Sequence, residues 1–201
     1  VSIFVNPEQF SPDEDFSSYP RDLDQDQSAL ESLGVDVLFL PDDKIIYPDN
    51  FSTYVEEIKL SKGLESLSRP HFFKGVLTVV LKLFNIINPQ SSFFGKKDYQ
   101  QFRLVEKMVE DLNLDIKVVG CKTVREQGGL AMSSRNQAFS NQEIQSLEII
   151  YQSLKMGKDR IVLGEKEPLI IKNLIQETLL TLNGLTIDYL EITDIENLSS
   201  V

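Results

Sequence analysis

Strands and helices alternate through the first 120 residues of the chain, and this alternation limits the possible folds more than any other feature. The apolar run Val1–Val5 is typical of a buried strand, and Val35–Leu40 has a similar composition. Between them, Asp22–Leu33 carries apolar residues at helical spacing, and Gly34 suits the position just after a helix. Two strands joined by a helix predict a βαβ crossover and therefore a parallel sheet.

The alternation continues along the chain. From Val76 to Ile87 the apolar positions recur three and four residues apart, which predicts a helix in spite of its valines. Further elements are predicted as a strand at Ser91–Phe94, a helix at Tyr99–Leu112 and a strand at Ile116–Val119.

The pattern changes near Thr123, where we place a domain boundary. Three elements are predicted beyond it: a helix from Ser140 to about Met156, a helix between Pro168 and Gly184, and a strand from Thr186 to Ile192. Ser140 and Glu143 have the spacing of a capping box, which marks the start of the first of these helices. We therefore expect an α/β domain over residues 1–122 and a small α+β domain over residues 123–201.

The composition restricts the partners and the compartment. The net charge of −11 argues against a nucleic-acid partner, because nonspecific binding to DNA or RNA needs basic residues that neutralise phosphates. No apolar run is long enough to span a membrane, since Lys82 interrupts the longest one. The single cysteine, Cys121, cannot form an intrachain disulfide, which suits a reducing compartment.

Gly95, Lys96, Lys97 and Asp98 lie where a predicted strand gives way to a predicted helix. A glycine there lets the backbone approach a ligand, and the first turn of a helix offers N–H donors without helical partners. Two lysines add positive charge where the helix dipole already favours an anion. These residues indicate a phosphate site, although a solvated turn with Asp98 as the helix cap is the alternative.

Asn6, Gln9 and Phe10 directly follow the first predicted strand. Ligands of parallel α/β sheets bind beyond the carboxyl ends of the strands, where amides can hydrogen-bond hydroxyl and carboxylate groups without adding charge. An ordinary turn with a capping Asn is the alternative.

The segment Met132–Arg135 follows a glycine-rich stretch, and its hydroxyl groups, N–H groups and guanidinium suit a polyphosphate. A plain flexible loop is the alternative. His71 is the only histidine and receives no catalytic role, and one His with one Cys excludes the usual zinc sites. Any Mg²⁺ would therefore be held mainly by the phosphates of a substrate.

Several short segments carry a family resemblance over roughly the first 140 residues. They are Val1–Phe10, Tyr19–Arg21, Ser68–Pro70 with Phe73 and Gly75–Val76, Phe84–Ile86, Phe94–Gln101, Thr123–Glu126 and Gly129–Asn136. In this order and at this spacing they resemble the pantothenate synthetase (pantoate–β-alanine ligase) family. The remainder of the chain is similar only in its helix–helix–strand pattern.

The resemblance implies a Rossmann-like nucleotidyltransferase (HUP-type) domain with a parallel sheet, followed by a small C-terminal α+β lid domain. It implies a ligase that condenses pantoate with β-alanine through a pantoyl adenylate, releasing AMP and pyrophosphate, in vitamin B5 and coenzyme A biosynthesis. ATP, Mg²⁺ held mainly through the ATP phosphates, pantoate and β-alanine are the expected ligands. A cytoplasmic homodimer that binds neither nucleic acid nor membranes is the expected form.

The resemblance also assigns roles to individual residues. Gln9 and Gln101 are expected to bind pantoate, with Gln9 also near β-alanine, while Asn6 and Arg69 shape the pocket. The expected ATP-binding residues are Gly95, Lys96, Lys97, Asp98, Val124, Met132, Ser133, Ser134 and Arg135. Among them, Lys97 would contact phosphate, Asp98 the ribose and the Val124 backbone the adenine edge. The residues expected to act catalytically are Lys97, Ser133, Ser134 and Arg135.

The chain also departs from the family pattern. The HxGH motif that binds ATP phosphates would precede Val1 and the terminal strands of the small domain would follow Val201, so we expect a fragment. Phe72 stands at a common histidine position, and Gly-Lys-Lys-Asp replaces the common Gly-Glu/Gln-Lys-Asp; both variants resemble the eukaryotic branch. Two alternatives remain open: a related adenylate-forming ligase that uses a different acid, and a non-catalytic nucleotide-binding remnant.

Overall fold

A computed structural model describes residues 1–12, 14 and 16–201. Its helices are α1 (Leu23–Ser32), α2 (Asp43–Ile46), α3 (Glu65–Ser68), α4 (Phe72–Ile87), α5 (Tyr99–Asp111), α6 (Asn141–Leu147), α7 (Ile149–Val162) and α8 (Pro168–Leu179). Its strands are β1 (Ser91–Gly95) and β2 (Lys117–Cys121), and 3₁₀ turns lie at Pro7–Gln9 and Ser134–Ala138.

The elements β1, α5 and β2 form a βαβ unit, which confirms the prediction for this part of the chain. The N–H of Lys117 donates to the carbonyl of Gln90 at 3.0 Å, and the N–H of Lys96 donates to the carbonyl of Cys121 at 2.8 Å. Because the paired positions advance together along both strands, the strands run parallel. The end of β1 therefore leads directly into the N-terminus of α5.

The first two predicted strands are reduced to a single parallel bridge between Ser2 and Phe39. The N–H of Phe39 donates to the carbonyl of Val1 at 2.8 Å, and the N–H of Ile3 donates to the carbonyl of Phe39 at 3.1 Å. The predicted parallel direction is confirmed, whereas the predicted strand lengths are wrong. The N-terminal amine of Val1 also donates to the carbonyl of Val37 at 2.8 Å. No second bridge follows among the described residues, and a strand needs a run of consecutive bridges.

Helix α4 packs against the 3₁₀ turn at Pro7–Gln9 and so holds that turn in place. Its apolar stripe is buried, including Phe73, Val76 and Leu77, and the helix ends at Asn88 in the left-handed conformation with φ of 48°. Gly75 lies in the first turns of α4, where an added Cβ would stand 2.3 Å from the carbonyl oxygen of Glu8. Only a glycine therefore lets the backbone of the Pro7–Gln9 turn approach the helix so closely.

The predicted capping box is confirmed, because the Ser140 and Glu143 side chains each bond the other's backbone N–H. The helix that we predicted from Ser140 to about Met156 is divided into α6 and α7 by Glu148. Glu148 itself keeps helical angles, but its N–H donates to the carbonyl of Gln145 three residues back, which interrupts the α-helical hydrogen-bond pattern. Pro168 lies in the first turn of α8, as predicted, and Gly184 follows the helix end with φ of 82°.

The strand predicted at Thr186–Ile192 is wrong, because these residues form no strand in the structure. The alternation that suggested it is real, since Leu185, Ile187, Leu190 and Ile192 pack against the buried side chains of α8. Within the described residues the pairing lies at the end of this segment, where the carbonyl of Ile192 accepts from the N–H of Val201 at 3.1 Å beside a bridge between Thr193 and Ser200. Without a longer ladder an extended segment is not a strand.

Contacts divide the chain into two compact units. The first comprises Val1–Ser92 and Leu104–Val119, and the second comprises Phe93–Arg103 and Gly120–Val201. The predicted domain boundary near Thr123 and the role of the C-terminal part as a lid stay predictions. Among the described residues, no helix is both long and apolar enough to cross a membrane.

Candidate active site

Asn6 is a buried polar residue of the first unit, with 4% of its surface exposed. Its amide nitrogen donates to Gln9 Oε1 at 3.0 Å and to the Gly75 carbonyl at 3.1 Å. Its amide oxygen accepts from the Glu8 N–H at 3.3 Å and from the Tyr47 hydroxyl at 2.8 Å. All four hydrogen-bonding positions of the amide are thus occupied by protein groups, which fits a residue that shapes a pocket.

Gln9 lines a cavity of about 330 Å³. The walls come from the Pro7–Gln9 turn, the residues that follow it and the start of α4, including His71 and Phe72. His71 precedes α4 without capping it through its side chain. The cavity has the volume that a small hydroxy acid needs.

Arg69 fixes the backbone on one side of this cavity. Its guanidinium donates to both carboxylate oxygens of Glu14, at 2.7 and 2.9 Å, and to Glu65 at 3.1 Å. It also donates to the carbonyl of Gln9 at 2.7 Å and lies over the Phe72 ring at 4.0 Å. A forked pairing with a carboxylate is rigid, so Arg69 holds the Gln9 backbone in place.

Gly95 and Lys97 occupy the turn from β1 to α5. An added Cβ at Gly95 would meet no atom within 4 Å, and Gly95 has no positive φ. Neither packing nor backbone conformation thus requires glycine here. The space around Gly95, before the N-terminus of α5, is open. The Lys97 ammonium is 3.6 Å from the Asp98 carboxylate, and its side chain is 42% exposed.

Lys96 differs from Lys97 because its side chain lies against the protein. Its ammonium is 5.5 Å from the centre of the Phe102 ring. A Cβ at Gly120 would stand 2.3 Å from the Lys96 side chain and 2.8 Å from Phe102. The side chain of Lys96 is therefore in contact with the protein, while Lys97 pairs with the neighbouring Asp98.

The two glutamines at the start of α5 are not equivalent. Gln100 is buried, with 8% of its surface exposed, and Gln101 is half-buried. Gln101 belongs to the second compact unit and Gln9 to the first. Their shared role in binding pantoate stays a prediction.

Val124 begins a small antiparallel hairpin. Its carbonyl accepts from the N–H of Met132 at 3.0 Å, next to a bridge between Arg125 and Ala131. Arg125 donates to the carbonyl of Gly129 at 3.0 Å and so closes the turn. Val124 as a residue is 67% exposed.

The segment Met132–Arg135 continues from the hairpin into a short 3₁₀ turn. Ser133 caps that turn, with its hydroxyl accepting from the N–H of Arg135 at 3.3 Å. Met132 is half-exposed, and Ser134 and Arg135 are exposed. Every predicted ATP-binding residue, from Gly95 to Arg135, falls in the second compact unit.

No three His, Cys, Asp or Glu side chains among the described residues are placed to hold a metal ion together. This part of the chain would therefore supply a magnesium ion with at most one or two carboxylates. Such a donor set fits an ion that is bound mainly through substrate phosphates.

Sequence reasoning missed Tyr47 and Glu14, which hold Asn6 and Arg69 in place. Tyr47 is 41 positions from Asn6, and Glu14 is 55 positions from Arg69. No local pattern could have paired residues so far apart. The residue types alone were suggestive, because buried amides and arginines need partners.

Comparison with known proteins gives consistent matches along the whole chain. A family model described as pantoate-beta-alanine ligase matches residues 1–201. The pantothenate synthetase of Thermosipho africanus is 52% identical over 201 residues, and that of Thermotoga petrophila is 50% identical. Each match covers 100% of this chain and 72% of the relative.

Solved structures agree with the sequence matches. The crystal structure of pantothenate synthetase from Thermus thermophilus has a TM-score of 0.95 and 40% identity, covering 100% of this chain and 72% of its own. A pantoate-beta-alanine ligase from Francisella tularensis, complexed with beta-gamma ATP and beta-alanine, has a TM-score of 0.74 and 39% identity. That match covers 89% of this chain and 66% of the other. The expected Rossmann-like, HUP-type fold is thereby confirmed, while the expected likeness to a eukaryotic branch stays a prediction.

Proposed function

The chain belongs to the pantoate–β-alanine ligase family, and we propose how its residues divide the work of that family's reaction. The reaction uses ATP to condense pantoate with β-alanine and forms a carbon–nitrogen bond, and the enzyme is an AMP-forming ligase. Its product belongs to the pathway of pantothenate and coenzyme A. The homologues carry the name pantothenate synthetase.

The first proposed step is adenylation. A carboxylate oxygen of pantoate attacks the α-phosphorus of ATP, and pyrophosphate leaves with the electron pair of the broken phosphorus–oxygen bond. Negative charge therefore builds up on the pyrophosphate, and fixed cations and N–H dipoles should stabilise it. In the second step the amine of β-alanine attacks the acyl carbon of pantoyl adenylate, loses a proton and displaces AMP.

The turn from β1 to α5 is our proposed phosphate site. Lys97 would contact phosphate, Lys96 would add positive potential, and Asp98 would bind the ribose. The open space at Gly95 would let a phosphate approach the N–H groups at the start of α5. This open space is the single observation that carries the assignment, because the fold itself does not need a glycine there.

The hairpin and 3₁₀ turn of the second unit are proposed to complete the ATP site. The backbone of Val124, a residue that is 67% exposed, would bind the adenine edge. Ser133, Ser134 and Arg135, next to Met132, would contact the polyphosphate, and the Arg135 guanidinium can bind two oxygens at once. A lid role for this part of the chain would keep water from the adenylate, which hydrolyses easily.

Pantoate is proposed to bind beside Gln9 in the cavity that Asn6 and Arg69 shape, with Gln101 as a second ligand. The amide of Gln9 can hydrogen-bond the hydroxyl and carboxylate oxygens of a hydroxy acid without adding charge. The rigid contact of Arg69 with the Gln9 carbonyl supports this placement. β-Alanine would then bind near Gln9, on the acyl side of the adenylate.

Mg²⁺, a homodimeric assembly and a cytoplasmic location are further parts of the proposal, carried over from the family. Bound Mg²⁺ would offset charge on the ATP phosphates. The carboxylate of Asp98 is an acidic group at the proposed phosphate site, within ion-pair distance of Lys97. No protein nucleophile is required by either step.

The test is an ATP–pyrophosphate exchange assay with pantoate, which reports adenylation alone, applied to Gly95→Ala. Thermal unfolding should be nearly unchanged, because the new methyl group meets no atom within 4 Å. ATP should bind at least about tenfold more weakly, because a methyl group at the site blocks close backbone approach. Normal exchange in this variant would remove the β1–α5 turn from the ATP site, and exchange with a different hydroxy acid in place of pantoate would contradict the proposed acid.

A further inference from the structure

We propose that Tyr47 is a positioning residue for the pantoate site: through Asn6 it fixes which end of the Gln9 amide faces the cavity. The inference rests on the proposed function, in which Gln9 binds pantoate. It adds a residue that lies outside the segments in which the sequence placed the site. Four hydrogen bonds around the Asn6 amide determine which partner donates and which accepts.

The orientation of the Asn6 amide can be identified from two backbone groups of single polarity. The carbonyl of Gly75 can only accept a hydrogen bond, so the group that faces it at 3.1 Å is the amide nitrogen. The N–H of Glu8 can only donate, so the group that faces it at 3.3 Å is the amide oxygen. The two ends of the Asn6 amide are therefore identified without ambiguity.

The partners of Asn6 must then take complementary roles. Tyr47 faces the amide oxygen at 2.8 Å, so its hydroxyl donates. Gln9 faces the amide nitrogen at 3.0 Å, so its Oε1 accepts. The Gln9 Nε2 group is consequently the end that serves a ligand, and it offers N–H donors to a carboxylate or hydroxyl oxygen.

Tyr47 is held as a permanent donor. Its ring packs edge-on against Phe51 at 5.1 Å and lies 6.4 Å from Phe4, which restricts rotation of the side chain. Burial raises the pKa of the Tyr47 hydroxyl well above its ordinary value, and the negative charge of Glu8 adds to that rise. The hydroxyl therefore stays protonated throughout the range in which the enzyme would be assayed.

Removal of the Tyr47 hydroxyl should weaken the hydrogen bonds that hold the side-chain amides of Asn6 and Gln9 in one orientation. Without the Tyr47 hydroxyl, the buried oxygen of Asn6 keeps only the longer bond from Glu8. An under-satisfied buried acceptor favours rotation of the amide toward another donor, and Gln9 would then lose its fixed acceptor role. The cavity would present Oε1 for part of the time, which repels a carboxylate.

The experiment is steady-state kinetics of Tyr47→Phe in the full-length protein. We expect the pantoate KM to rise about tenfold, the size of one lost hydrogen bond, while the ATP KM changes less than about twofold. Tyr54→Phe is the matched control: other groups fill all four hydrogen-bonding positions of the Asn6 amide, so loss of the Tyr54 hydroxyl should leave the pantoate KM within about twofold. Because KM does not depend on the folded fraction, a partly unfolded variant still gives a result.

A double-mutant cycle with Gln9→Ala separates positioning from simple structural support. If Tyr47 acts through Gln9, the Tyr47→Phe change should have no further effect on pantoate KM once Gln9 is alanine. Independent, multiplicative effects would overturn the inference, as would an unchanged pantoate KM in Tyr47→Phe alone. An unchanged pantoate KM in Gln9→Ala alone would instead refute the proposed function of Gln9.

Discussion

Removal of the Lys97 ammonium tests the phosphate site most directly, because this group is an exposed positive charge of the β1–α5 turn. A unit charge about 4 Å from a phosphate oxygen contributes roughly 4 kcal/mol at an effective dielectric constant of about 20. The Lys97 side chain is 42% exposed, so screening by solvent reduces this to about 2 kcal/mol. Lys97→Ala should therefore slow adenylation about thirtyfold.

The assay is ATP–pyrophosphate exchange with saturating pantoate, measured at low and at high ionic strength. The deficit of Lys97→Ala should shrink as salt rises, because an exposed charge is screened. Lys97→Arg keeps the charge and should recover most of the rate.

Lys107→Ala is the matched control, within the helix α5 that follows the turn. The Lys107 ammonium pairs with Asp111 at 2.8 Å and Glu110 at 3.2 Å, away from the N-terminus of α5. Its removal should leave exchange within about twofold of the original rate. Adenylation by Lys97→Ala at more than a third of the original rate would refute the charge argument.

Three further changes test packing and capping. Gly75→Ala should cost about 3 kcal/mol of unfolding free energy and raise the pantoate KM, because its Cβ would meet the backbone oxygen of Glu8 at 2.3 Å; unchanged thermal unfolding would contradict this. Gly157→Ala should cost at most about 1 kcal/mol, because its Cβ meets the flexible end of Ile175 at 2.6 Å and alanine favours the helix; a loss as large as that of Gly75→Ala would contradict this. Hydrogen bonds from Ser140 lower the pKa of Glu143 below its ordinary value of 4.5, so the capping box stabilises the fold above that value and loses its effect as pH falls through the lowered pKa. Denaturant unfolding should therefore show a smaller difference between wild type and Glu143→Gln at pH 3 than at pH 7, and an equal difference would contradict this.

Local signals predicted the elements that carry the phosphate site. The stripe of α4, the β1–α5–β2 unit and the capping box at Ser140 all agree with the structure. Each of these signals is contained within a few turns of helix or one strand, so neighbouring residues suffice to specify it. The turn from β1 to α5 could be located for the same reason, since a strand end and a helix start are both local features; its role as a phosphate site stays a prediction.

Signals that depend on distant partners were less informative. The alternation of apolar and polar residues in Thr186–Ile192 correctly predicted that its apolar side chains pack against the core. A strand also needs a neighbouring strand to pair with along its length. Two other predictions behave in the same way: the helix that is divided at Glu148 and the strand that is reduced to a bridge at Ser2. In both, the local pattern gave the type of element, while contacts with the rest of the fold set its length.

Motifs and spacing along the chain were enough to identify the family, the order of the elements in the first 120 residues and the lysines, serines and glutamines expected to bind ATP and pantoate. The enclosure of Asn6 by Tyr47 and Gly75, and the defined end of its amide that Gln9 presents, became visible only in the folded chain. Periodicity and capping act between near neighbours in the chain. The polarity of a buried amide, by contrast, is set by groups 41 and 69 positions away, which only the packed fold brings together.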